Sequence, residues 1–273
     1  MATGRVPAVL SIAGSDSGGG AGIQADLKAF ARCGVHGMTA ITAITSQNTV
    51  GVERVDAIAP ESILAQVRAV ADDIGVDAVK IGMLGSVETV EVVVRALDLV
   101  GEAPVVVDPV MIAESGANLL DDEARDALVG RVLPFATVAT PNIPEALALT
   151  GLGEEASQEQ LARAVLALGP AAVVVTGGHS EELTDLFVDA EQAVEIPGDR
   201  HPGGAAHGSG CTHSSALAAF LARGDAPLEA ARKARGIASE AVRNGLRGIG
   251  AGAGPVDVFG LATRASGDAG SSR

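Results

Sequence analysis

The chain has 273 residues, 47% of them hydrophobic, and a formal charge of −15 at pH 7. That length is enough for one large α/β domain or two small ones, and the negative charge argues for no nucleic acid and no anionic membrane surface as partner. Aromatic residues make up 2%, with neither Trp nor Tyr. Stacking of bases on aromatic rings is therefore nearly unavailable, and the core must be built from Val, Ile, Leu and Ala. Cys33 and Cys211 are the two cysteines and form no C-x-x-C pair, so a zinc site is not expected. Two thiols without an export signal suit a reduced cytoplasm. No stretch reaches the roughly 18 uninterrupted apolar residues that a spanning helix needs.

In chain order, Val6 to Ala13 is a short apolar run that predicts a buried strand. It ends in the glycine-rich Gly14–Gly22, and a helix follows from Ile23 to Arg32. Strand, glycine turn and helix form a ligand-binding corner of an α/β sheet. A dinucleotide fingerprint fits the spacing poorly, because no acidic residue follows the second strand, Met38 to Thr45. Asp16 and Asp26 lie in or near the glycine turn; Asp26 reads as a solvated helix residue or as a polar contact to a small ligand. Gln47 sits in a polar break with an amide that both donates and accepts, suited to the edge of a heteroaromatic ring or simply to a loop.

Pro60 to Asp73 predicts a helix with proline in its first turn. Ala78 to Ile81 is a strand, Ser86 an N-cap, and Val87 to Leu99 a helix. Lys80 reads equally as a paired internal charge or a surface residue, and Met83 as a pocket wall or core filler. The strand Pro104 to Val107 stops at Asp108, a carboxylate that needs a partner or a cation if buried. Asp121 or Asp122 caps a helix ending near Leu133, and the strand Thr137 to Ala139 leads into Asn142-Ile143-Pro144-Glu145 and a helix to Thr150. Glu145 either favours the helix dipole or holds a magnesium ion through water. A capping box at Ser157 opens the helix Gln158 to Leu168. A strand from Ala172 to Thr176 ends in Gly177-Gly178-His179, and Leu183 to Asp189 with Ala193 to Pro197 predicts an edge hairpin.

His207-Gly208-Ser209-Gly210-Cys211 then opens a helix read over Ser214 to Arg223. A glycine turn at a helix start aims free N–H groups and the positive end of the dipole at one point, which suits an anion. Cys211 sits where its thiol reaches that point, and a helix N-terminus favours the thiolate. Against so acidic a chain, phosphate handled here needs local donors and a divalent cation. Pro227 to Arg243 is a second helix, and residues 263–273 are expected to be disordered. Strands alternate with helices throughout, which predicts an α/β, doubly wound fold with a largely parallel sheet and helices on both faces, in one domain over 1–262. In such sheets ligands bind beyond the carboxyl ends of the strands. Asp16, Gln47, Met83, Asp108, Asn142, Gly177 and the Gly208 turn all follow predicted strands, and so share one rim.

Seven blocks carry a resemblance: Ala13–Lys28, Ile44–Thr49, Lys80–Leu84, Asp108–Met111, Thr140–Glu145, Gly177–His179 and His207–Thr212. In this order they resemble the hydroxymethylpyrimidine/phosphomethylpyrimidine kinases of thiamine biosynthesis, over roughly residues 6 to 262. The resemblance implies a ribokinase-like fold and transfer of phosphate from ATP, with Mg2+, to 4-amino-5-hydroxymethyl-2-methylpyrimidine and then to its monophosphate. It implies pyrimidine contacts at Gln47, Asp26, Met83 and the Gly14 backbone, and an anion hole at Gly208, Ser209, Gly210 and Cys211. Asn142, Thr176 and Gly178 fall on the nucleotide side, and Asp108 and Glu145 on the metal and its waters. Cys211 would take the substrate hydroxyl proton late, or shape the hole. Two departures stand out: Thr176 where many relatives have lysine, and Ala205-Ala206 where more polar residues are often found. The alternatives are a pyridoxine or pyridoxal kinase on the same fold, or a non-catalytic vitamin- or nucleotide-binding protein. Relatives of this fold are often dimers, so a homodimer is compatible with the resemblance.

Overall fold

The computed structural model describes residues 4–112, 116, 119–177 and 183–262. Gly178, His179 and the expected disordered tail 263–273 lie outside the described residues. Among these, the strands are β1 (Ala8–Asp16), β2 (His36–Gln47), β3 (Val52–Ala57), β4 (Ala78–Ile81), β5 (Val105–Val107), β6 (Val138–Ala139), β7 (Ala172–Val175), β8 (Asp185–Asp189) and β9 (Ala193–Ile196). The helices are α1 (Gly22–Arg32), α2 (Pro60–Asp73), α3 (Val87–Leu97), α4 (Asp122–Ala127), α5 (Ile143–Thr150), α6 (Gln158–Leu166), α7 (Ser209–Ala222) and α8 (Pro227–Arg243).

The strands form one sheet in the order β3-β2-β1-β4-β5-β6-β7-β8-β9. From β2 to β7 every neighbouring pair is parallel; β3, β8 and β9 add antiparallel edges. The chain starts at β1, moves outward to β2 and then returns past β1 to β4, so the strand order reverses at β1 and opens a crevice there. Alternation along the strands divides the core between the two faces. Leu10, Ile12, Val79, Ile81, Val105 and Val107 pack with residues of α2, α3, α5 and α6. Val9, Ala78, Val106, Val138 and Val174 pack with Phe30 of α1 and with Ala and Leu residues of α7 and α8.

Several elements differ from the sequence reading. β2 runs on through Gln47, because Asn48 Oδ1 accepts from the N–H groups of Val50 and Gly51 and turns the chain into β3. β3 was not predicted: its residues (VERVDA) lie on the sheet edge with little burial, so the apolar signal is weak. The helix opened by Asp121 passes after Ala127 into a π turn and then a 3-10 turn containing Pro134, which has no N–H for an α-helical bond. Cys211 also lies inside its helix, since α7 begins at Ser209 rather than Ser214.

The same alternation puts Ser11 and Lys80, paired across β1 and β4, on the face covered by α1 and α7. Lys80 is fully buried, with Nζ 3.0 and 3.3 Å from the two Asp26 oxygens and 3.7 Å from Asp108 Oδ2. Asp26 also accepts from Ser11 Oγ at 2.6 Å and Ser215 Oγ at 2.7 Å. One carboxylate thus joins two strands to two helices. Burial opposes the charge on Lys80, but Asp26, Cys211 and Asp108 together hold its ammonium above the usual lysine range. Removing one partner of a buried pair leaves the other charge uncompensated. Lys80→Met is expected to lower stability by about 3–5 kcal/mol in urea unfolding; a loss below about 1 kcal/mol, the scale of an exposed pair, would contradict this role.

Candidate active site

At the carboxyl ends of the parallel strands lies a cavity of about 410 Å³. Its walls include Gly14, Gln47, Met83, Asp108, Asn142, Glu145, Thr176, Gly208, Ser209, Gly210 and Cys211. Of the site residues read from the sequence, Asp26 stands apart. It was expected to touch a ligand, but it faces the sheet from α1, is fully buried, and its oxygens are taken by Ser11, Ser215 and Lys80. It carries Lys80, and Lys80 is what reaches the cavity wall.

Two glycine turns form the floor. Asp16 at the end of β1 accepts from the N–H groups of Gly18 (2.8 Å), Gly20 (3.0 Å) and Ala21 (2.8 Å), and its Oδ2 is 3.3 Å from His207 Nε2. Burial alone would raise the Asp16 carboxyl, yet the bonds from His207, Ala21 and Gly18 outweigh it and hold the group below the usual carboxylate range. The turns interlock. A Cβ on Gly20 would fall on the His207 ring, and one on Gly208 would strike the Gly20 carbonyl. Gly208 also sits at φ +83°, a left-handed conformation that favours glycine. From there α7 starts: Ser209 N–H turns back to the Ala206 carbonyl, and Ser209, Gly210 and Cys211 line the cavity at the positive end of the helix dipole.

Cys211 stands on that first turn, with the Gly22 N–H directed at its sulfur. The expectation of a favoured thiolate is not met. Burial pushes the Cys211 thiol up to about 12; Asp108 and Asp26 add to the rise, and Lys80 and Gly22 only partly oppose it. The group is a thiol at neutral pH, because half-burial of the residue and the facing carboxylates outweigh the helix start and Lys80.

Opposite lie the two carboxylates. Asp108 follows β5 and accepts from Ser214 Oγ at 2.9 Å. Burial raises its carboxyl, against the pull of Lys80. Glu145 is pushed up to about 8 by burial and then by the facing charge of Asp108. Glu145 and Asn142 also form the capping box of α5: Asn142 N–H donates to Glu145 Oε2 at 2.9 Å and Glu145 N–H to Asn142 Oδ1 at 2.8 Å. Among the described residues no group of three or more His, Cys, Asp or Glu is arranged to hold a metal ion. A carboxylate whose affinity for positive charge is raised by a second one facing it makes, with that partner, a donor set for a hard cation that keeps most of its waters.

On the other side of the cavity, Gln47 Oε1 accepts from Thr45 Oγ1 at 3.1 Å. The Met83 methyl packs so closely over Gly14 that a Cβ there would overlap it. Thr176 pairs in parallel with Asn142 at the end of β7, and Gly177 N–H donates to buried Asp185 Oδ1 at 2.8 Å. The sequence reading missed Asp185, His213, Ser214, Ser215 and Arg235, and left Lys80 undecided. A lysine in the otherwise apolar run Ala78–Ile81 was a usable signal. The others lie in helices and a hairpin where nothing local marks them.

The sequence matches the family described as phosphomethylpyrimidine kinase over residues 16–257. It is 47% identical over 256 residues to a hydroxymethylpyrimidine/phosphomethylpyrimidine kinase of Rhizobium meliloti, covering 92% of this chain and 96% of that protein. Among solved structures, the pyridoxal kinase from Staphylococcus aureus in complex with ADP superposes with a TM-score of 0.86 at 34% identity, covering 96% of both chains. A phosphomethylpyrimidine kinase from Clostridium difficile does so at 0.73 and 40% identity, covering 84% of this chain and 97% of that one. The matched span opens at Asp16 in the first glycine turn and closes beyond the second, so it takes in the whole cavity floor, and the chain belongs to the phosphomethylpyrimidine kinase family with its ribokinase-like fold.

Proposed function

We propose that the chain, acting as one kinase domain over residues 1–262, transfers the γ-phosphoryl group of ATP to 4-amino-5-hydroxymethyl-2-methylpyrimidine and then to its monophosphate. The observation that carries this reading is the sharing of one cavity by a corner at Gly14, Gln47 and Met83 and the glycine turn at Gly208–Cys211. The identity of the relatives as hydroxymethylpyrimidine/phosphomethylpyrimidine kinases supports the pyrimidine, and the ADP complex of the S. aureus enzyme supports the nucleotide. In this reading Gln47 pairs with the polar edge of the pyrimidine, and Met83 covers its face. Asn142 and Thr176 border the nucleotide.

The reaction is positioning and charge stabilisation more than covalent work by the protein, because the transition state for phosphoryl transfer is loose. The substrate hydroxymethyl oxygen attacks the γ-phosphorus as the bond to the β–γ bridging oxygen breaks. ADP leaves, and the hydroxyl proton passes to a non-bridging oxygen of the transferring group. In the second reaction a phosphate oxygen of the monophosphate attacks in the same way. The N–H groups at Gly210 and Cys211 take up charge on the transferring oxygens. Cys211, held as a thiol, acts here as a donor to that charge rather than as a base. Asp108 and Glu145 are the residues that would hold Mg2+, whose chemistry when bound is to neutralise phosphate charge.

A second reading, pyridoxal phosphorylation, is favoured by the superposition on pyridoxal kinase. ATP consumption measured side by side with the pyrimidine alcohol and with pyridoxal tests both. The proposal expects the higher kcat/KM with the pyrimidine; turnover of pyridoxal alone would overturn it. Gln47→Leu is expected to raise KM for the pyrimidine by about tenfold or more, through loss of hydrogen bonds to the ring, with KM for ATP nearly unchanged. Equal effects on the two would remove Gln47 from the ring's edge.

Cys211→Ala is expected to cut kcat on the order of a hundredfold, the scale for losing one donor of an anion hole, while thermal unfolding stays cooperative. Its raised thiol has a pH consequence. Because the folded protein keeps Cys211 protonated well above the pH at which a free cysteine ionises, iodoacetamide at pH 8 should leave it intact until the protein is unfolded. Burial likewise pushes Cys33 up to about 11, so it should behave the same way. Rapid alkylation of folded protein at pH 8 would return Cys211 to the role of a base.

A further inference from the structure

On the far wall of the cavity α8 presents Arg235, with a side chain only 16% exposed. Its guanidinium lies against Gly198, where a Cβ would overlap it. Nη1 is 3.3 Å from Asp185 Oδ1, the same oxygen that accepts from Gly177 N–H, and Nη2 donates to the Leu183 carbonyl. Its Nε is buried and has no acceptor among the described residues. The His213 ring, on the same wall, likewise has two buried nitrogens without a bond, with Nε2 3.8 Å from the equally unpaired Asp185 Oδ2.

Buried N–H groups in native proteins are almost always bonded, so unpaired ones in side chains that line a cavity point to a ligand whose binding completes them. The missing partner is an acceptor with several lone pairs. Lys80, the cation deeper in the cavity, is committed to Asp26 and Asp108 and does not face this wall freely. Further along the same helix, Ala238, Ser239 and Val242 also line the cavity, at three, four and seven residues beyond Arg235. That spacing keeps all four on one helical face. It forms a mostly apolar stripe for a flat base, with Arg235 at its end nearer β7 and Thr176. Asp185 and the Leu183 carbonyl hold the guanidinium, so its position is preset rather than ordered on binding.

We infer that Arg235 binds a phosphate group of the bound nucleotide, with Asp185 as its support and the His213 ring beside it. The inference rests on the nucleotide being a substrate, but its test needs no pyrimidine, so the two can fail separately. Titration calorimetry on the full chain should give an ADP affinity about tenfold or more weaker in Arg235→Gln than in the unaltered protein, the scale of a lost charge-assisted contact, with adenosine changed by no more than about twofold. Equal loss of both ligands, or loss of neither, overturns the proposal. Should Arg235→Gln fail to fold, the unaltered protein decides. Its Arg235 Nε–H resonance, assigned through Arg235→Lys, should move on saturation with ADP and stay in place with adenosine. A resonance unmoved by ADP, or moved equally by adenosine, overturns it.

Discussion

A fully buried lysine between two carboxylates holds this architecture to its chemistry. Lys80 and Ser11 stand side by side on strands, Asp26 comes from α1 and Ser215 from α7, and their bonds meet at one carboxylate. Lys80 also reaches Asp108, which is bonded to Ser214. The helix that opens the candidate anion hole is therefore tied to the floor of the sheet through two neighbouring serines. Buried charge is tolerable only when paired and hydrogen-bonded, so this arrangement permits little displacement of α7 relative to β4. A site that works by positioning needs that kind of support.

The two glycine turns meet above this knot. Asp16 gathers three backbone N–H groups of its own turn and the His207 ring of the other, and the absence of side chains at Gly20 and Gly208 lets the backbones close on one another. A chain with a net charge of −15 can face a polyphosphate because the charge near the cavity is arranged locally. The start of α7 lines one side at the positive end of its dipole, Arg235 lines another, and Asp108 and Glu145 form a pair of carboxylates of the kind that suits a cation. Net charge governs encounter and solubility; the field inside the cavity is set by the nearest few groups.

Cys211 shows how the same helix position can yield opposite chemistry. A helix N-terminus lowers a thiol's affinity for its proton when the group is solvated, but here burial and two carboxylates dominate. The result is a neutral thiol on the cavity wall. That is compatible with a reaction whose transition state demands charge stabilisation more than proton abstraction.

Much was written locally in the sequence. Alternating apolar runs and capped helices gave the order of elements, and α2 and α8 have the bounds their proline starts predict. The glycine turns marked two corners of the cavity, at Gly14–Gly22 and at Gly208–Gly210. What local pattern could not reveal was which way a side chain faces once distant elements pack. Asp26 and Lys80 are 54 residues apart and Asp16 and His207 191, and no periodicity links them. Tertiary packing alone turned Asp26 inward, sealed Lys80, protonated Cys211 and set Arg235 on the cavity wall, because burial and charge pairing are properties of the assembled interior.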